Sequence, residues 1–129
     1  MANEIALNVN MTVTKGSLRY TFAPPAASIT LTGNAAAGGV QNVSTTTEAL
    51  SLIDVTTRGL ANFVNLSTGT EVEVGAWDGT AFRPFGLLKP GEPAVIRLSA
   101  QTGTTISPAV RVITPTNGTS NIQWQVFAD

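Results

Sequence analysis

Turn signals recur about every 8 to 12 residues along this chain, and the runs between them alternate with a period of two, which leaves no room for a helix of ordinary length. Residues 60–98 show the constraint most plainly, with four strand-like runs cut by three turns. The run 60–66 stops at Ser67, Thr68 and Gly69. In 71–77, Val72, Val74 and Ala76 alternate with acidic or small residues. Asp78 and Gly79 then supply the pair that a two-residue type I′ hairpin requires, because both of its central residues must tolerate positive φ. The run 80–88 carries Pro84, which cannot donate to a ladder and so predicts an edge strand or a bulge. Lys89, Pro90, Gly91 and Glu92 predict a type II turn, with Pro90 at its second and Gly91 at its third position. Residues 94–98 complete what reads as a four-stranded meander.

The flanking segments repeat the theme. Ile5, Leu7, Val9, Met11 and Val13 alternate with polar or small residues in the cleanest period-2 pattern of the chain, and Lys15, Gly16 and Ser17 close it. Leu18, Tyr20 and Phe22 continue the alternation, so residues 4–23 predict a long hairpin whose second arm ends at Pro24 and Pro25. Ile29 and Leu31 suggest a short third strand. Residues 33–39, made of Gly, Asn and Ala, have neither charge nor bulk and predict a mobile loop that a partner would have to order. Residues 40–47 read as β-branched strand. Residues 48–53 fit either a helical turn or a strand, and the run is too short for helix on its own propensity. Beyond 98, residues 106–114 form a strand broken at Pro108, Asn117 and Gly118 signal a second hairpin, and 120–127 is the last strand. The prediction is one all-β domain over residues 1–129, an antiparallel β-sandwich or jelly roll. Its expected core is Ile5, Leu7, Val9, Val64, Val72, Val74, Ile96, Val112, Ile122, Trp124 and Val126.

At 129 residues, surface scaling has roughly two thirds of the unfolded chain's area buried, enough for a core without staples. There is no Cys and no His. That removes the triads, thiolate nucleophiles and zinc sites of ordinary ligand type, and it offers no sign of an oxidising compartment. Seven basic against eight acidic residues give a net charge of −1, without the positive field that nucleic-acid binding needs. Charged residues are only 12 %, about half the usual share, so the polar surface is mostly hydroxyls and amides. Such a surface suits a subunit packed in an assembly. No basic opening segment and no apolar run of about 20 residues is present, so a soluble protein made in the cytoplasm, with no membrane partner, is expected.

Candidate chemistry is sparse. Glu71 and Glu73 share a strand face about 6.6 Å apart, a separation that a glycosidase could use, but alternating glutamates usually form a solvated face. Asp54 and Asp78 stand in turns, where aspartate bonds its own backbone. No catalytic residue, metal ligand or cofactor is expected. Trp77 with Asp78 is the one candidate sugar contact, set against core packing and a cross-strand pair of Trp77 with Phe82. Arg58, Arg83 and Arg97 are the cations to watch in an interface, because arginine tolerates partial burial.

The opening MANEIALNVNMTV, the segments TEALSLIDV and RGLANFVNLS, the long run VEVGAWDGTAFRPFGLLKPGEPAVIRL and the close NIQWQVFAD together resemble a family of short virion proteins of tailed bacteriophages. The resemblance implies a head decoration or cement protein, β-sandwich in fold and often trimeric, with the major capsid protein as partner and the virion as location. A carbohydrate-binding or host-attachment module of a fibre, spike or tail is the alternative. Residues 1–13, with Ile5, Leu7, Val9 and Met11, are the candidate partner-binding arm, able to add to a neighbour's sheet edge; otherwise they form a strand of the chain's own sandwich. Weak charge and long strands also predict a homo-oligomer, with a trimer the first expectation.

Overall fold

The computed structural model describes residues 5–52, 55–98 and 118–129, and the backbone of 107–112. Every regular element in these residues is a strand, and the contacts gather into two compact units, Met1–Thr32 and Gly33–Asp129.

The first unit is a β-ribbon. β2 (Met11–Lys15) pairs antiparallel with β3 (Leu18–Phe22) around Gly16 and Ser17, and Gly16 takes the positive φ of 58° that such a short connection demands. β1 (Ile5–Leu7) pairs with β4 (Ala27–Ile29), so the hairpin resumes beyond the prolines. The single long strand expected from Ile5 to Val13 is therefore two strands. Residues 8–10 lie opposite Ala23, Pro24, Pro25 and Ala26, and a proline has no N–H to continue the ladder. Ile5 and Leu7 are half-buried and Val9 is exposed, so this segment is not in the sandwich core where the alternation placed it. Residues 1–4 of the candidate arm lie outside the described residues.

The second unit is an eight-stranded sandwich. One sheet runs β10 (Pro93–Arg97), β7 (Arg58–Asn65), β12 (Ser120–Ala128), β5 (Ala36–Val43); the other runs β6 (Glu48–Ala49), β11 (Ser107–Val112), β8 (Val72–Trp77), β9 (Phe82–Leu88). In sequence, β8 pairs with β9, β7 with β10, β6 with β11 and β5 with β12, as in one long hairpin. Rolling that hairpin adds the pairs β7–β12 and β8–β11, which makes the topology a jelly roll. Residues 60–98 are thus not a meander: β7 and β10 belong to one sheet and β8 and β9 to the other. Asn117 of the second expected hairpin lies outside the described residues; β11 and β12, the strands on either side, belong to different sheets.

Between the sheets lie Phe63, Ile122, Trp124 and Val126 from one side and Val72, Val74 and Leu88 from the other, with Val43, Leu50 and Val55. Half of the expected core is here. On β7, Phe63 points inward and Val64 only half-buries, since Ala61 and Asn65 share the parity of Phe63. Ile96 faces the core side but sits on edge strand β10 and stays exposed; the Val112 side chain lies outside the described residues. Residues 36–39 are strand rather than mobile loop. Gly38 answers to close approach, because a Cβ there would stand 2.6 Å from the Trp124 carbonyl oxygen, whereas Gly39 has open space.

Pro84 lies on an edge strand and also at a bulge, where the β8–β9 register shifts between Val74 and Gly75. Gly75 has no room for a side chain, since a Cβ there would come within 2.4 Å of the Arg83 carbonyl oxygen. The type II turn forms as read: Glu92 N–H donates to Lys89 O at 3.0 Å and Gly91 has φ of 78°.

That turn is fastened to Asn65, a fully buried amide. Its Nδ2 donates to Thr70 O (2.7 Å) and Leu88 O (3.0 Å), while Oδ1 accepts from Ser67 N–H (3.0 Å) and Ser120 Oγ (2.9 Å). Its backbone N–H donates to Glu92 O and its carbonyl accepts from Gly91 N–H. The two carbonyl partners can only accept, which fixes the amide's orientation. Asn65→Ala leaves several buried groups unpaired and should destabilise the fold by about 2–4 kcal/mol in urea unfolding, against about 0.5 kcal/mol or less for Asn62→Ala on the outer face. Asn65→Asp, the same shape without the donors, should be at least as damaging at neutral pH.

Candidate functional site

Alternation on the strands that bury Phe63 and Trp124 sends the opposite residues outward. In register, Val40, Gln123, Val64 and Pro93 form one row across the outer face of the four-stranded sheet, and Gly38, Gln125, Asn62 and Val95 form the next. Asn42 and Asn121 extend the face at one end. Asn42 Nδ2 donates to Asn121 Oδ1 at 3.1 Å and Asn62 Nδ2 to Gln125 Oε1 at 3.3 Å. These rows hold no charged side chain. Valines stand among the amides, and Val40 is 63 % exposed on edge strand β5. At the corner, Arg97 Nη1 is bonded to Asp129 Oδ2, so these two charges offset each other. Chemically, the face offers amide donors and acceptors and small apolar caps, with almost no long-range field.

The arginines singled out by sequence are not brought together. Arg97 is in this corner ion pair. Arg58 begins β7 opposite Ala128, half-buried, and its Nε has no hydrogen-bond partner among the described residues. Arg83 lies on the other sheet's β8–β9 hairpin, where Nε donates to Asp78 Oδ2 at 2.9 Å.

That hairpin has four loop residues rather than two, since Trp77 pairs with Phe82 and Asp78 N–H donates to Ala81 O. The longer loop follows from Asp78, whose Oδ1 accepts from both Thr80 N–H (2.9 Å) and Ala81 N–H (2.7 Å). Gly79 takes φ of 92°. Aspartate bonding its own backbone was the reading of this residue, and it holds. Those amides, with Arg83, lower the Asp78 carboxyl from 3.8 to about 2. Trp77 is half-buried beside Phe82, so Trp77 and Asp78 do not form an open sugar platform. Asp54 lies outside the described residues.

Ile5, Leu7 and Met11 take part in the ribbon of the first unit, and Val9 lies between its two parts. Glu71 and Glu73 are half-buried rather than fully solvated. Among the described residues, no group of three or more His, Cys, Asp or Glu could hold a metal ion, and no helix is long and apolar enough to cross a membrane. No protein-family model, curated protein or solved structure matches this chain.

A carboxyl held lower in the folded state stabilises the fold fully above its unfolded value, and the contribution disappears as pH falls through the folded value. The melting temperature of the wild type should therefore exceed that of Asp78→Asn at pH 6, and the gap should close between about pH 4 and 2. A gap that widened on acidification would contradict this role.

Proposed function

We propose that this chain is a structural virion protein, a head decoration or cement protein that binds the major capsid protein and stabilises the head, with no catalytic role and no cofactor. The observation that carries the reading is the outer face of the four-stranded sheet, whose two central rows hold no charged side chain and whose corner Arg97 is paired with Asp129. A face of this kind fits a contact made by shape and neutral hydrogen bonds rather than by charge, as expected of a subunit lying across junctions between capsid subunits. The likeness of its sequence segments to short phage virion proteins supports the same reading. The jelly roll is compatible with it but decides nothing, because this fold hosts capsid and lectin functions alike.

The carbohydrate-binding alternative draws less support. Phe63 and Trp124 are buried, Trp77 is half-buried beside Phe82, and Asp78 already holds two backbone amides and Arg83. The open rings among the described residues are Tyr20 and Phe22, set in the apolar row of the ribbon, and Phe85 on edge strand β9.

The test is cosedimentation of the purified protein with undecorated capsids of the same virus. Binding should change less than about threefold between 50 and 300 mM salt, since little charge is neutralised on contact. Placing charge on the face with Val40→Asp and Gln123→Glu should weaken binding at least tenfold while leaving the melting temperature within a few degrees. Collapse of binding at physiological salt, or full binding by the double variant, would overturn the proposal.

A further inference from the structure

The β2–β3 ribbon has one apolar face that is exposed among the described residues. Register places Met11 opposite Phe22, Val13 opposite Tyr20 and Lys15 opposite Leu18, all on that face, while Thr12, Thr14, Arg19 and Thr21 occupy the other. Met11, Leu18, Tyr20 and Phe22 are 44–55 % exposed, and of the ribbon's ten residues only Val13 is even half-buried. A two-stranded hairpin alone in water is marginal at best and gains independent stability only by adding strands or by covering its apolar face. Among the described residues no further strand pairs with the ribbon's outer edges, because the sheet contains β2 and β3 alone.

We infer that this apolar ribbon face is the chain's self-association surface and that its occupant is the same ribbon of a second copy. Three features favour a copy over an unrelated partner. First, the exposed parts of the four large side chains amount to about 400 Å² per ribbon, so two ribbons with their rims would bury on the order of 1,000 Å², the lower bound for a specific interface. Second, the face is self-complementary: two ribbons stacked face to face about a two-fold axis present the same five-residue strands and the same alternation, so each apolar row meets an equal row of the copy. Third, the charges do not oppose it: Arg19 lies on the opposite face and Lys15 stands at the turn, where face-to-face packing about a two-fold axis puts the two lysines at opposite ends. The inference uses a surface separate from the neutral sheet face and does not depend on the capsid reading.

Sedimentation velocity of the full chain at about 10 µM tests it, with Tyr20→Lys/Phe22→Lys against Thr21→Lys, which puts the same charge on the polar face of the same strand. The wild type and Thr21→Lys should sediment as oligomers, and the double variant as the 13.4 kDa single chain with its near-ultraviolet tryptophan dichroism intact. Should the double variant lose that signal, the milder Tyr20→Ser must still raise the dissociation constant at least tenfold. A monomeric wild type, an oligomeric double variant, or equal dissociation by Thr21→Lys would each overturn the inference.

Discussion

Three connections between the two sheets of the jelly roll converge on the buried amide of Asn65. The chain leaves the first sheet after β7 through residues 66–71, and Ser67 and Thr70 in that crossing bond the Asn65 side chain. It returns after β9 through the Lys89 to Glu92 turn, which is tied to the Asn65 backbone, and Leu88 just before it accepts from the side chain. Ser120, where the chain re-enters the first sheet as β12, donates to the same oxygen. An unmade hydrogen bond in the interior costs more than a made one contributes, so a group with all four side-chain valences met works mainly by specifying one arrangement of these crossings.

Local chemistry was legible in the residues, and long-range pairing was not. Pro90 and Gly91 announced their turn, Pro84 its edge and bulge, and Asp78 its bonds to its own backbone, because each is a property of one residue and its neighbours. Val72, Val74, Ile122, Trp124 and Val126 were legible as core from alternation alone. Alternation says which side chains share a face but not which strand lies alongside, so a run of hairpins and a rolled jelly roll look the same at that level. Adjacent apolar residues blur the phase as well: with Phe63 next to Val64, only the burial of Asn65 two positions on decides which points inward. An asparagine in a core is read as a surface residue unless its partners are known, and two of those, Leu88 and Ser120, lie 23 and 55 residues away. Gly38 misled for a related reason, since what forbids bulk there is the Trp124 carbonyl on a strand more than 80 residues away.

The candidate surface was legible only in outline. Low charge and abundant amides pointed to a neutral exterior, and the central rows of the outer sheet face are neutral. Its location follows from which strands join β7 and β12. Once the sheet is assembled, the residues opposite the core include an array of Asn, Gln and Val, and Arg97 and Asp129 bond each other at its corner. The fold thus separates two kinds of surface, an amide-rich face on the sandwich and an apolar face on the ribbon. Contacts with different chemistry suit a subunit that joins its own kind and a larger assembly by different surfaces.

Hydrogen exchange at the Asn65 and Gly91 backbone amides, read residue by residue in the native protein, bears most directly on the central claim. If this corner is what holds the crossings, both amides should exchange only through global opening, with the same free energy as the β12 amides of Ile122 and Trp124. Exchange of Gly91 and Asn65 at the rate of exposed loops, while β12 stays protected, would show that the jelly roll holds together without them.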